Sequence, residues 1–125
     1  MKNSSLKFMI FILLVVGNLS CVNNLSNDNP NPSVSVCGVT DPVKDLKWLS
    51  NEVKLLTGGP ETNGIVLFEY KSDKVIEIQC SVCSSTNIHQ YFCDGTKLNL
   101  LKPEDFNDYK KNRKEIKILY GKKMW

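Results

Sequence analysis

The cysteines of this 125-residue chain constrain its fold more than any other feature of the sequence. Four of the five fall in the second and third quarters of the chain, namely Cys37, Cys80, Cys83 and Cys93. The fifth, Cys21, stands alone upstream. In an exported protein an odd count is explained when one cysteine is modified and the rest pair. We therefore expect two disulfides, which persist in an oxidising compartment and stabilise a small domain.

The pairing of the four cysteines is left open by the sequence, because four cysteines allow three connectivities. A tight turn between two predicted strands would place Cys80 opposite Cys93, which leaves Cys37 for Cys83. A bulge near Cys83 would instead permit Cys37–Cys80 together with Cys83–Cys93. Both arrangements fit a small sheet, so the register of the strands decides between them.

The spacing Cys80-Ser-Val-Cys83 has two other interpretations. A C-x-x-C redox pair usually opens a helix, whose N-terminus lowers the thiol pKa, whereas this pair ends a strand-like run. A zinc site using the cysteines, with His89 as a substitute ligand, lacks the usual second close pair. We favour structural disulfides and expect neither a bound metal nor a cofactor.

The N-terminus is typical of an exported protein. Phe8 to Val16 is a nine-residue apolar run, preceded by Lys2 and Lys7. It is too short for a membrane-spanning helix, which needs about 20 apolar residues, and fits the core of a signal peptide. We predict a signal peptide over residues 1–20, a flexible asparagine- and proline-rich tether over 21–35, and a single domain over 36–125.

The first element of that domain is predicted to be a helix capped by Asp41, with Pro42 at its first position. Five apolar residues recur at helical spacing and form the face toward the core: Val43, Leu46, Leu49, Val53 and Leu56. Trp48 and Leu55, seven residues apart, share a second line. They form a candidate contact patch for a protein partner, with Trp48 as the anchor, unless another segment covers them.

Strand signals follow this helix. Gly64–Tyr70 is strongly apolar, Val75–Cys83 alternates, and Ile88–Cys93 and Thr96–Leu101 flank an Asp94-Gly95 turn. A two-residue turn there places Tyr91 opposite Leu98 and turns His89 toward Leu100. A short helix over Glu104–Asn112 and a last strand over Glu115–Tyr120 complete the domain. The predicted fold is α+β, with one main helix on four or five antiparallel strands and a short second helix.

Charge is nearly balanced overall, with 16 basic against 13 acidic side chains, so we expect no nucleic-acid partner. Seven basic residues are concentrated near the end of the chain: Lys110, Lys111, Arg113, Lys114, Lys117, Lys122 and Lys123. This segment could contact lipid phosphates or another polyanion, but we favour the simpler interpretation of a solvated strand and terminus.

The stretch CGVTDPVKDLKWL, Cys37 to Leu49, resembles a family of small uncharacterised lipoproteins of Bacteroidota. Their CG-x-x-[DN]-P-x-x-x-L-x-W-L opening is followed by a cysteine-containing antiparallel sheet, and the likeness covers residues 37–100. Cys21 similarly resembles a lipoprotein acceptor, with Ser20 in the position before it and Asn18 where leucine is usual. The resemblance implies a lipid-anchored protein of the bacterial envelope and brings no enzymatic activity. We predict an exported lipoprotein that is anchored in the outer membrane.

These features predict a cell-envelope lipoprotein that acts as a membrane-tethered binding or accessory module. No catalytic arrangement is recognisable around the single histidine, His89, so we predict no catalytic residues and no enzyme activity. Alternatives are a thiol oxidoreductase or metal-binding protein using Cys80 and Cys83, and an extracellular protease inhibitor. The last rests on a loosely cystatin-like arrangement of one helix on a meander.

Overall fold

The computed structural model describes residues 35–125. The predicted signal peptide, Cys21 and nearly all of the predicted tether lie outside the described residues. The described elements are α1 (Pro42–Asp45), α2 (Lys47–Leu55), β1 (Asn63–Tyr70), β2 (Asp73–Cys80), β3 (Gln90–Phe92), α3 (Pro103–Asn112) and β4 (Lys114–Gly121). Between residues 35 and 125, no helix is long and apolar enough to cross a membrane.

The four strands form one antiparallel sheet in the order β3-β2-β1-β4, which confirms the predicted α+β class. β1 is central because its first six residues are all buried, as its continuous apolar run predicts. β1 and β2 are joined by a two-residue turn, Lys71-Ser72, in which both residues have positive φ angles of 49° and 68°. Such a turn matches the twist of the flanking strands.

The predicted main helix is divided into α1 and α2, so the expectation of one continuous helix is wrong. Leu46 separates them with an extended backbone (φ −84°, ψ 105°). The first turn closes on itself, because the Asp45 carboxylate accepts a hydrogen bond from the Asp41 N–H at 3.0 Å. Asp41 also caps α1 as predicted, accepting from the Lys44 N–H at 3.4 Å, and Pro42 occupies the first turn.

The apolar stripe predicted for this region nevertheless packs as one face. Leu49 is fully buried and belongs to a core cluster that also includes four isoleucine and leucine residues of the sheet: Ile65, Leu67, Ile76 and Ile78. The other four residues of the stripe pack against this cluster. The opposite face of the sheet is covered by α3, whose Tyr109 is fully buried. The sheet is therefore covered on both faces, and this burial supplies the main stabilising force of the domain.

The hairpin after β3 differs from the predicted one by one residue. Tyr91 lies opposite Lys97, not Leu98, and Gly95 adopts a φ of 86°. This is a three-residue loop that ends in a left-handed residue, a common alternative to the two-residue turn. Since side chains alternate along a strand, the slip puts Tyr91 and Leu98 in different cores.

Two further expectations about this region are corrected. β2 ends at Cys80 and its residue Ile76 pairs with Tyr91, so residues 81–89 form a loop and not a tight turn. The predicted strand Thr96–Leu101 is reduced to the single bridge at Lys97. By contrast, α3 and β4 are found where the helix and the last strand are predicted.

A candidate binding groove beside the Cys80–Cys83 disulfide

The four domain cysteines form two disulfides, as predicted. Their pairing is the third possible one, which differs from both pairings that the predicted strands allow. Cys37 pairs with Cys93 (Cα–Cα 5.3 Å) and Cys80 pairs with Cys83 (Cα–Cα 5.2 Å). The reason is the observed register, which places Val75 and not Cys80 beside Phe92, the last residue of β3. Cys93 lies in the hairpin loop, and there it meets Cys37, which precedes α1.

The Cys80–Cys83 bridge closes a turn directly at the end of β2. Backbone bonds already hold this turn, because the Cys83 N–H donates to the Cys80 carbonyl at 3.3 Å and the Ser81 N–H donates to the Thr62 carbonyl at 3.2 Å. Cys80 is 6% exposed, whereas Cys83 is half-buried. Cys83 is thus the more accessible residue of the bridge.

This disulfide lines a groove of about 250 Å³ between the end of α2 and the loop after β2. The lining residues are mainly apolar, with a carboxylate and an imidazole among them: Glu52, Leu55, Leu56, Thr57, Ile78, Cys80, Val82, Cys83 and His89. Leu55 is 76% exposed and Val82 is 71% exposed. The groove therefore offers two large, solvent-exposed apolar side chains beside a disulfide.

The fold brings together in this groove three features that the sequence analysis identifies separately: Leu55, the C-x-x-C pair and His89. His89 does not face Leu100 as predicted. Its carbonyl accepts from the Ile78 N–H at 2.9 Å, which holds it beside β2 and the groove. Burial lowers the pKa of the His89 imidazole below 6.5, and the nearby Lys97 charge acts in the same direction. Neutral imidazole is therefore the form present at pH 7.

Trp48 is not part of the groove. Its indole is half-buried, lies 5.1 Å from the Tyr91 ring between centroids, and donates from Nε1 to the Cys93 carbonyl at 3.0 Å. The loop approaches it so closely that a Cβ on Gly95 would lie 2.8 Å from Trp48 Cγ. Trp48 thus fixes the hairpin loop, and of the predicted contact patch Leu55 alone lines the groove.

A buried polar cluster on the opposite face of the sheet is the main feature that the sequence analysis missed. Glu77 is fully buried, and four side chains donate hydrogen bonds to its carboxylate: Gln79 at 2.8 Å, Gln90 at 3.0 Å, Trp125 at 3.1 Å and Arg113. The Arg113 guanidinium also lies 4.3 Å above the Phe68 ring centroid. The alternation of β2 suggests that Glu77 and Gln79 face solvent, and no local signal predicts otherwise.

The chemistry of this cluster is structural, since the carboxylate is already surrounded by donors. Gln79 extends it by accepting from the Met124 N–H at 2.7 Å, which fastens residues 124–125 against β2. A buried charge requires such partners, and the cluster supplies them from four places in the chain: β2, β3, the residue after α3 and residue 125. Neither oxygen of Glu77 is free for a ligand.

The basic segment is partly engaged within the domain. Arg113 pairs with Glu77, and Lys123 pairs with Glu115 at 2.7 Å. Along β4, which is an edge of the sheet, Ile116 and Ile118 are 38% and 41% exposed and lie on either side of Lys117. Lysines on an edge strand discourage pairing with another chain, which accounts for this pattern without a polyanion.

Residues 35–125 contain no group of three or more metal-ligating side chains suited to an ion, and the four cysteines there are bonded to one another. Comparison with protein-family models, characterised proteins and solved structures finds no match to this chain. The interpretation of the groove therefore depends on its own chemistry.

Proposed function

We propose that this protein is a bacterial cell-envelope lipoprotein whose domain is a binding module for a protein partner, with the groove beside Cys80–Cys83 as its binding site. The observation that carries the proposal is the exposure of Leu55 and Val82 at this concave surface. Large apolar side chains grouped around a groove favour association, because covering them removes apolar surface from water.

The tether and anchor are proposed from the sequence. Support comes from the short apolar run Phe8–Val16, the cysteine directly after the predicted signal peptide, and the resemblance of Cys37–Leu49 to a lipoprotein family. A multiply acylated Cys21 would hold the domain at a membrane surface far more firmly than one acyl chain does. The following asparagine- and proline-rich residues would let the groove reach a partner near that surface.

Site-specific photocrosslinking in intact cells tests the binding site. A photoreactive residue at position 55 should give a discrete crosslinked partner, and Leu55→Asp should remove the association with that partner. The matched control is position 101, because Leu101 is comparably exposed at 69% but lies outside the groove. Equal crosslinking from both positions, or none from position 55, would contradict the proposal. Release of the protein from membranes by Cys21→Ser tests the anchor separately.

A further inference from the structure

We infer that the Cys80–Cys83 disulfide exchanges with a dithiol carried by the partner polypeptide that occupies the groove. The inference rests on the proposed function, because it assigns a chemical class to the ligand of the same site. It gives the groove a role beyond adhesion, namely transfer of two electrons from the partner to this protein.

The two disulfides of the domain have different structural roles. Cys37–Cys93 joins residues 56 positions apart and ties the start of the domain to the hairpin loop. Cys80–Cys83 joins residues three positions apart, in a turn that backbone hydrogen bonds also close. Breaking the second bridge leaves those backbone bonds in place, so the fold can survive its reduction.

Access decides which sulfur a partner thiolate attacks. Cys83 is half-buried at the groove, whereas Cys80 is 6% exposed at the end of β2. The apolar side chains of Leu55 and Val82 flank the same surface and can hold a polypeptide against it. A small reductant such as dithiothreitol does not need this apolar contact. Comparing its reaction with that of a peptide dithiol therefore distinguishes binding in the groove from disulfide exchange itself.

The exchange proceeds in two balanced steps. A thiolate of the partner attacks Sγ of Cys83, which forms a mixed disulfide and releases Cys80 as a thiolate that takes up a proton. The second partner thiolate then attacks the partner sulfur of the mixed disulfide and releases Cys83, which is protonated in turn. The partner leaves with a disulfide, having given two electrons and two protons to the pair. The two protons released when the partner thiols ionise return to Cys80 and Cys83 through solvent.

The first experiment treats the native full-length chain with dithiothreitol, followed by alkylation and peptide mapping. We expect Cys80 and Cys83 to be alkylated while Cys37–Cys93 stays oxidised and the near-ultraviolet circular dichroism is retained. Simultaneous reduction of both bridges, or resistance of Cys80–Cys83 until the protein unfolds, would overturn the inference. In single variants, the free thiol of Cys80→Ser should be alkylated faster than that of Cys83→Ser; the reverse order would overturn the assigned point of attack.

The second experiment uses a synthetic peptide dithiol with apolar flanking residues as the probe. Leu55→Asp should slow oxidation of this peptide but leave the reaction with dithiothreitol unchanged. If both reactions proceed and the substitution affects neither, the groove is not the docking site and the proposed function fails while the exchange chemistry stands. If neither thiol compound reacts although crosslinking at position 55 succeeds, the exchange fails while the binding proposal stands.

Discussion

Substitution of Arg113 by alanine should destabilise the domain more than any other removal of a surface or edge charge. The Arg113 guanidinium contacts the buried Glu77 carboxylate with its own side chain 11% exposed, and it lies over the Phe68 and Tyr109 rings. Removing it leaves a carboxylate on β2 with 0% exposed surface and no cationic partner. The penalty therefore comes from an uncompensated buried charge.

The expected loss in the free energy of unfolding depends on which hydrogen-bond donors remain around Glu77. Breaking a buried ion pair by removing one partner costs about 3–5 kcal/mol. Three side chains, Gln79, Gln90 and Trp125, still donate to the carboxylate, so we expect the lower end, about 3 kcal/mol. The double variant Glu77→Gln with Arg113→Met removes both charges and should lose less than Arg113→Ala alone, since no unpaired charge is then buried.

The assay is urea unfolding at pH 7 with both disulfides intact, analysed for the midpoint and for an unchanged m-value. Lys123→Ala is the matched control, because its pair with Glu115 is partly exposed (42% and 37%) and should contribute less than about 1 kcal/mol. The reasoning is refuted if Arg113→Ala and Lys123→Ala have the same effect, or if the double variant is less stable than Arg113→Ala.

Three further predictions concern the turn, the disulfides and the histidine. Ser72→Gly should stabilise the domain by about 0.5–1 kcal/mol in thermal unfolding, because glycine relieves the positive φ of 68°; no gain would contradict this. Replacing both cysteines of Cys37–Cys93 by serine should cost about 4 kcal/mol by chain entropy, against about 2 kcal/mol for Cys80–Cys83, as denaturant titration would show. The pKa of His89 is lowered by folding, so its contribution to stability is complete above pH 6.5 and is lost as the pH falls toward the pKa of the folded state. In His89→Gln, the free energy of unfolding measured across that pH range should depend less on pH.

The sequence predicts well those elements that are determined by local periodicity. The stripe containing Leu49, the cap at Asp41, and the helix and strand of residues 103–121 are all present. The break at Leu46 is not predicted, because the stripe packs equally well with the helix divided. Apolar spacing fixes which residues face the core more firmly than it fixes continuous helical geometry.

The disulfide pairing could not be derived because it depends on the register of β2 against β3, in which Val75 lies opposite Phe92 and Cys80 lies away from Cys93. The hairpin loop after β3 is a separate difference of one residue. Asp94-Gly95 suits both a two-residue and a three-residue hairpin loop, and the choice inverts the face of every residue on the second strand. The structure adopts the longer loop and thereby moves Leu98 away from Tyr91. In this longer loop the Cys93 carbonyl accepts a hydrogen bond from Trp48, a residue that is distant in sequence.

The groove and the polar cluster show two different limits of sequence reasoning. Leu55 and the C-x-x-C pair could be selected as candidates, but their proximity depends on where α2 ends against β2. The alternation along β2 indicates a solvent-facing Glu77, because an antiparallel sheet commonly has one face in contact with water. Here α3 and residues 124–125 cover that face, and three of the four polar partners of Glu77 come from 13 to 48 residues away.

Intact mass spectrometry of the protein extracted from the membranes of its own cells tests the central claim most directly. An anchored, disulfide-stabilised module predicts a chain that begins at Cys21, carries acyl groups there, and lacks four hydrogens because two disulfides are formed. Peptide mapping without reduction should recover the Cys37–Cys93 and Cys80–Cys83 linkages. A mass equal to unacylated Met1–Trp125, or a mapped Cys80–Cys93 linkage, would contradict the account.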